Sequence, residues 1–270
     1  MTAAASEPVI SFEDVYVNFG EGDVLRGVSF GVSPRETKVL IGETGTGKTL
    51  ILKLAAGLLK PSRGRVFVLG HEVSAMSEVE LLSFRRQIGF VFQEGALFDS
   101  LSVADNVAYR LVEEGIDPAE TQARVTEALR FVEMEDAAEK LPAELSGGMR
   151  RRVSIARALV IASPIVLYDS PTAGLDPVTA QTIITLILRL RDTQGASSLL
   201  ATHRLQDAFG LANFQFDRQQ NRVVKAAAVD GRNGQPATNF LFLREGKIYF
   251  EGGQQSVLQS RDEYLHRFLV

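Results

Sequence analysis

The chain has 270 residues, and 29 basic against 33 acidic side chains give it a net charge of −4 at neutral pH. Proteins that coat nucleic acid are usually basic, so the charge predicts no nucleic-acid partner. The lack of cysteine excludes disulfides, thiol catalysis and cysteine-based zinc sites, and no apolar run approaches the roughly 18 residues that a membrane-spanning helix needs.

Strands and helices alternate along most of the chain. Alternating apolar residues over 9–17 and 24–32, with a turn at 20–23, predict an antiparallel hairpin. This hairpin is followed by predicted strands over 38–41, 65–69, 88–92, 165–168 and 197–201, and by predicted helices over 48–58, 118–132 and 178–191. The order predicts an α/β fold with a largely parallel sheet.

Two segments interrupt this pattern. Residues 95–160 have mostly helical periodicity between two strand regions, which predicts an inserted helical subdomain. Residues 213–239 are polar with a strong turn signal at 230–234, and we predict a β-hairpin-like insert with strands over 223–229 and 239–243. We therefore predict a flexible N-terminus at 1–7 and a single domain over 8–270. The domain is predicted to end in a short amphipathic helix over 264–270.

The strongest motif lies between the predicted strand at 38–41 and the helix at 48–58. It matches G-x-x-x-x-G-K-[ST], in which the glycines let backbone amides converge on phosphates, the lysine reaches the β and γ phosphates and the hydroxyl reaches Mg²⁺. The candidate nucleotide-binding residues are Gly42, Glu43, Thr44, Gly45, Thr46, Gly47, Lys48 and Thr49.

Asp169 follows the apolar strand predicted at 165–168. A carboxylate at the end of a buried strand beside a phosphate loop is suited to hold Mg²⁺, directly or through water. Thr49 and Asp169 are therefore candidate metal ligands of a P-loop nucleotide-binding protein.

Residues 145–152 read Leu-Ser-Gly-Gly-Met-Arg-Arg-Arg, which predicts a serine-capped helix start whose glycines let another subunit's phosphate approach. We predict that most of the arginine run is a solvated face. The segment resembles the LSGGQ-type signature of ABC ATPases, from which Met149 departs. The resemblance implies a P-loop NTPase with an ABC-type mixed sheet, an N-terminal antiparallel β-subdomain and an inserted helical subdomain. It also implies that ATP and Mg²⁺ lie between the phosphate loop of one copy and Ser146, Gly147 and Gly148 of a second copy.

The other ABC elements follow in order, and the resemblance gives each one a role. Phe19 resembles the aromatic residue that stacks on adenine, with Tyr16 as a rival. Gln93 resembles the Q-loop glutamine that senses Mg²⁺ and the γ-phosphate, and His203 resembles the switch histidine that contacts that phosphate. Asp176 lies in a segment that resembles the D-loop, which faces the other copy.

The residue after Asp169 departs from the family pattern, because Ser170 stands where ABC ATPases usually have glutamate. A serine hydroxyl orients water but does not readily accept its proton, and loss of a general base typically costs about 10²–10⁴ in rate. Three explanations stay open: a slow ATPase, a substitute base from His203 or another chain, and an engineered change that traps ATP. A second departure, Arg204 in place of the usual aspartate, changes the hydrogen bonding expected of the switch loop.

Residues 92–109 resemble one particular group of ABC systems. Gly-Ala-Leu-Phe at 95–98 and Asp-Asn-Val-Ala-Tyr at 105–109 resemble the ATPases of Mla/MCE-type lipid transporters, with Arg110 in place of a proline. The resemblance implies a homodimer at the cytoplasmic face of a bacterial inner membrane, where it powers phospholipid transport. Its implied partners are a permease that docks near residues 95–101 and an MCE-domain lipid-binding protein.

Other classes of ABC protein differ from this chain in recognisable sequence features. DNA-repair ABC ATPases carry a long coiled-coil insertion between phosphate loop and signature, which the short separation of Lys48 and Ser146 disfavours. Translation-type ABC factors normally carry two cassettes, whereas this chain has one. A nonhydrolytic or regulatory subunit paired with an active ATPase, and the ATPase of another ABC importer or exporter, stay open.

Overall fold

The computed structural model describes residues 7–20, 22–226 and 238–268, which contain twelve strands and nine helices. The strands are β1 (Ile10–Asn18), β2 (Asp23–Val32), β3 (Thr37–Ile41), β4 (Arg63–Val68), β5 (His71–Glu72), β6 (Ile88–Val91), β7 (Ile165–Asp169), β8 (Ser197–Thr202), β9 (Phe214–Asp217), β10 (Arg222–Lys225), β11 (Thr238–Arg244) and β12 (Lys247–Gly253). The helices are α1 (Lys48–Ala55), α2 (Glu78–Phe84), α3 (Val103–Glu113), α4 (Pro118–Phe131), α5 (Gly147–Val160), α6 (Pro177–Gln194), α7 (Leu205–Asn213), α8 (Gln254–Gln259) and α9 (Glu263–His266).

The central sheet has six strands in the order β12-β11-β3-β8-β7-β6. All neighbouring pairs are parallel except β11 with β12. Strands β3, β7 and β8 are buried along their whole length, which explains why they are continuous runs rather than alternating ones. This mixed sheet confirms the predicted α/β fold. Because β3, β7 and β8 are parallel, the residues that follow them meet at one edge of the sheet.

A second sheet, β2-β1-β4-β5, is antiparallel and covers one face of the central sheet. The pairing of β1 with β2 confirms the predicted hairpin. Phe12 and Val28 of this sheet share an apolar core with Leu52 of α1 and Leu167 of β7. This core holds α1, and with it the loop at 42–49, against the end of the central sheet.

The segment 95–160 contains α3, α4 and α5, which pack on one another. Their starts are encoded locally, since Ser102, Asp117 and Ser146 each accept a hydrogen bond from an amide of the first turn. Their buried apolar side chains, such as Leu129, join a second core on the other face of the central sheet.

The prediction for the polar stretch at 213–239 was wrong in its strand pairing. The described part of the strand predicted at 223–229 does not pair with 239–243: β10 pairs with β9, and β11 pairs with β3 and β12, whereas residues 227–229 lie outside the described ranges. The hairpin is therefore formed by residues 214–225, and β11 belongs to the central sheet. The predicted turn at 230–234 lies outside the described residues.

Helix α9 folds back on the central sheet, where the Tyr264 hydroxyl donates to the carbonyl oxygen of Leu243 at 2.8 Å. It ends at His266, earlier than the predicted helix over 264–270, whose last two residues lie outside the described ranges. No helix within residues 7–20, 22–226 and 238–268 has both the length and the apolar character to cross a bilayer.

Candidate functional site

The loop at 42–49 connects β3 to α1 and is shaped by its glycines. Gly45 and Gly47 adopt φ angles of +85° and +97°, in the left-handed region that favours glycine. Gly47 is the N-cap of α1 and offers no side-chain cap, so the first amides of the helix stay available to an anion. A Cβ added to Gly45 would meet no other atom within 4 Å, so the space above the loop is open at this residue.

Lys48 lies with its ammonium group inside this loop. Its Nζ donates to the carbonyl oxygens of Gly42 at 2.8 Å and Glu43 at 2.7 Å. Burial lowers the pKa of Lys48, and the nearby Asp169 carboxylate opposes that shift. Since the two bonded acceptors are uncharged, the positive charge remains for phosphate oxygens.

Thr49 and Asp169 form the metal-binding part of the site. The Thr49 hydroxyl donates to Oδ1 of Asp169 at 3.1 Å, across the gap between α1 and β7. Burial raises the pKa of Asp169, and the hydrogen bond from Thr49 opposes the increase. A hydroxyl and a carboxylate are the hard oxygen ligands that Mg²⁺ prefers, and the adjacent phosphate loop completes a site of the right chemistry.

A cleft of about 370 Å³ brings eight of the predicted residues together, from the phosphate loop, the end of β6, the end of β7 and the end of β8. Its predicted lining residues are Thr44, Gly45, Gly47, Lys48, Thr49, Gln93, Ser170 and His203. Val24 of β2 and Leu50 also line it, and sequence reasoning missed both, since strand or helix periodicity predicts burial but not which cleft a residue faces. The other predicted residues lie outside this lining: Phe19, Gly42, Glu43, Thr46, Ser146, Gly147, Gly148, Asp169 and Asp176.

Ser170 sits at the end of β7 with an unusual backbone. Its φ is +47°, in the left-handed region, and its amide donates to the Ala201 carbonyl at 2.9 Å. Its hydroxyl lies 3.5 Å from Oδ1 of Asp169. The side chain therefore faces the metal-binding end of the cleft, where a hydroxyl orients water without acting as a base near neutral pH.

The signature segment is a capped helix start, as its sequence predicts. The Ser146 hydroxyl accepts a hydrogen bond from the Met149 amide at 3.2 Å and caps α5. A Cβ on Gly148 would lie 2.4 Å from Cγ2 of Thr179, so a side chain at position 148 would have to displace this methyl group of α6. Packing within the chain thus favours glycine at position 148, whatever approaches from outside.

The prediction that the arginine run is mostly a solvated face was wrong. Arg151 is 7% exposed, and Arg150 and Arg152 are both partly buried. The guanidinium of Arg151 donates to the Ala173 carbonyl at 2.5 Å, and that of Arg150 donates to the Leu145 carbonyl at 2.6 Å. Successive arginines lie on different sides of α5, and each side contacts a different part of the protein. The sequence alone does not show these contacts.

Asp176 and Phe19 have contrasting surroundings. Asp176 caps α6, and its Oδ1 accepts from the Val178 and Thr179 amides at 3.0 Å each. Phe19 is 61% exposed beside Gly20, whereas its rival Tyr16 lies under the Arg63 guanidinium at 3.8 Å. The Phe19 ring is therefore free to stack on a planar ligand, and the Tyr16 ring is occupied.

Comparisons with known proteins agree with this geometry. Residues 25–173, more than half of the chain, match the family described as ABC transporter. The chain is 37% identical to the chloroplast protein TRIGALACTOSYLDIACYLGLYCEROL 3 of Arabidopsis thaliana, over 97% of this chain and 74% of that protein. It is 36% identical to the methionine import ATP-binding protein MetN 1 of Rhodococcus jostii, over 82% of this chain and 67% of that one.

Solved structures give the same result. The dimeric bacterial ABC transporter cassette MJ0796 superimposes with a TM-score of 0.76 at 28% identity, over 90% of this chain and 98% of that one. The protein cbiO1 of Clostridium perfringens, part of the ABC transporter complex cbiONQ, superimposes with a TM-score of 0.77 at 25% identity, over 97% and 94% of the two chains.

The phosphate loop, the Thr49–Asp169 pair and the capped signature helix define an ATP-binding cassette. The chain belongs to the ABC transporter family and carries its ATP-binding domain. Cassettes of this family bind ATP with Mg²⁺, form dimers and pair with transmembrane permeases.

Proposed function

We propose that this chain powers a lipid-transporting ABC system at the cytoplasmic face of a bacterial inner membrane. It acts there as a peripheral homodimer with a permease and an MCE-domain lipid-binding protein. The similarity to a protein named after a galactosylated diacylglycerol supports a lipid cargo. The observation that carries the proposal is an exposed aromatic surface on the segment that resembles Mla/MCE-type ATPases.

That surface consists of Phe98 and Tyr109, whose rings lie 4.5 Å apart between centroids. Phe98 is 45% exposed, and Tyr109 is exposed to a similar degree. The buried Asn106 side chain fixes the loop beneath them: it accepts from the Phe98 amide at 2.8 Å and donates to the carbonyl oxygens of Phe98 and Leu101. A preformed apolar surface of this kind suits a short helix of a permease.

A pull-down from native membranes tests the cargo and the docking surface together. We expect the chain to retain a multi-pass permease and an MCE-domain protein, and Phe98→Asp to lose both while still binding ATP. Leu82→Asp, which changes a still more exposed apolar residue on α2, is the control and should retain them. Recovery of a methionine permease instead would favour the second candidate, methionine import, which rests on the MetN relatives.

The geometry also supports a mechanism for ATP use. ATP with Mg²⁺ supplies the anhydride to be cleaved and the Lewis acid that polarises it. Lys48 and the amides at the start of α1 hold the phosphates, while Thr49 and Asp169 hold the metal ion. Gln93 and His203 orient the γ-phosphate end, and Ser146–Gly148 of a second copy close over the nucleotide. Closure of the dimer then moves the surface around 95–101 against the permease.

Hydrolysis in this mechanism is slow, because Ser170 replaces the usual carboxylate beside Asp169. ATP binding and dimer closure then dominate the cycle. The alternative is a nonhydrolytic subunit that pairs with an active ATPase. A glutamate-bearing second ATPase among the proteins recovered with this chain would favour that alternative.

A further inference from the structure

Asp207 is a buried carboxylate that none of the ATP-contacting motifs includes. It lies in the first turn of α7 and is 4% exposed. Its Oδ2 accepts hydrogen bonds from the Thr172 hydroxyl and, at 3.1 Å, from the Thr202 hydroxyl. Its Oδ1 lies 3.7 Å from Nε of Arg204. Burial of a carboxylate without partners costs free energy, so these contacts are strongly favoured. They join three segments: the start of α7, the end of β8 and the chain that follows β7.

One of these segments carries the switch histidine. The Thr202 hydroxyl also accepts from the Arg204 amide at 3.0 Å, so both neighbours of His203 are tied to Asp207. The imidazole of His203 itself is exposed and lines the nucleotide cleft. His203 is therefore flanked on both sides by residues that contact Asp207.

The other segment leads from Thr172 to the signature helix. Thr172 is buried next to Ala173, whose carbonyl oxygen accepts from Nη2 of Arg151 at 2.5 Å. The same guanidinium reaches back to the Gly147 carbonyl at 3.5 Å, at the first turn of α5. Arg151 thus connects the chain after β7 with the start of α5.

These contacts, joined by the peptide bond between Thr172 and Ala173, form a continuous relay. We define it as Thr202, Asp207, Thr172, Ala173 and Arg151, with His203 at one end and Gly147 at the other. We propose that Asp207 and Arg151 are positioning residues that transmit occupancy of the γ-phosphate end of the cleft to the start of α5 in the same chain. The proposal rests on ATP binding and is independent of the cargo. Because the start of α5 serves the nucleotide of the second copy, the relay couples the two ATP sites of a dimer.

Hydrogen exchange on the intact chain tests the relay, at a protein concentration where light scattering finds a monomer, so that no contact from a second copy contributes. With ATP and Mg²⁺ we expect slower amide exchange at 42–49 and, by at least about threefold, at 146–152. ADP, which lacks the γ-phosphate, should protect 42–49 alone. Thr172→Val keeps the side-chain shape but removes the hydroxyl that donates to Asp207. It should retain the ATP protection at 42–49 and lose it at 146–152.

Thr37→Val is the matched control, because Thr37 is fully buried in β3 and its hydroxyl contacts no hydrogen-bond partner among the described residues. It should leave both protected regions unchanged. Thr202→Val is the second variant if Thr172→Val does not fold, because it removes the other hydroxyl that donates to Asp207, and it should also lose protection at 146–152. Protection at 146–152 that survives either variant, or that ADP also produces, would overturn the relay. A lack of protection at 42–49 in the unaltered chain would instead contradict ATP binding itself.

Discussion

The Thr49 hydroxyl and the Asp169 carboxylate lie 3.1 Å apart, although 120 positions separate them in the chain. Thr49 lies in the first turn of α1 and Asp169 ends β7, and the parallel sheet brings both to the edge that holds the phosphate loop. Their contact places a hydroxyl and a carboxylate, the two candidate oxygen ligands of Mg²⁺, side by side next to the phosphate loop.

Nucleotide binding should stabilise the fold in a way that depends on Lys48. At ATP and Mg²⁺ concentrations about 100 times the Kd, linkage adds about 2.7 kcal/mol to the free energy of unfolding. We expect a corresponding rise in Tm by calorimetry, which Lys48→Ala abolishes and removal of Mg²⁺ by a chelator reduces. An equal rise in Lys48→Ala would show that the nucleotide binds elsewhere.

Ser170→Glu should raise the rate of ATP turnover. A carboxylate at this position accepts the proton that a hydroxyl does not, and general-base catalysis typically contributes about 10²–10⁴ in rate. Steady-state phosphate release by the unaltered chain, Ser170→Glu and the double variant with Lys48→Ala measures this. If Ser170→Glu gives no gain, the base lies elsewhere, and loss of the remaining activity in His203→Ala would identify it.

Gly148→Ala should destabilise the chain, whereas Gly147→Ala should not. The added methyl would lie 2.4 Å from Thr179 at position 148, but 3.5 Å from Arg151 at position 147. Overpacking of this kind costs about 1–3 kcal/mol, and the neighbouring change should stay within about 0.5 kcal/mol. Chemical denaturation of the two variants measures the difference, and equal stabilities would contradict the close packing of α5 on α6.

Phe19→Ala should weaken ATP binding without loss of stability. Stacking of a base on an aromatic ring is worth about 1–3 kcal/mol, so the Kd for ATP should rise by about 5- to 150-fold. Tyr16→Ala removes a ring that instead packs against Arg63, and it should lower Tm with little effect on the Kd. Fluorescent-nucleotide titrations and thermal melts of both variants test this, and the reverse pattern would assign the stacking role to Tyr16.

Much of the site could be predicted from the sequence because its signals are local. The glycines of 42–49 are needed for backbone conformations within the loop itself, and Ser146 caps the helix that begins at the next residue. The buried strand before Asp169 is visible as a short apolar run. In each case the residues that carry the signal and the structure they form are neighbours in the chain.

The tertiary structure alone decided which distant segments meet. The sequence at 213–239 predicts strands but not that β10 pairs with β9 while β11 joins β3, since strand propensity does not specify a partner. Likewise, a run of arginines does not reveal that Arg151 is buried against Ala173, nor does a lone aspartate reveal that Asp207 joins Thr172 to Thr202. The sequence by itself determined the phosphate loop, the helix caps and the family, because these depend on backbone conformation over a few residues. The relay and the strand pairing depend on the packing of the whole chain, where the free energy of burial selects among contacts that no local pattern distinguishes.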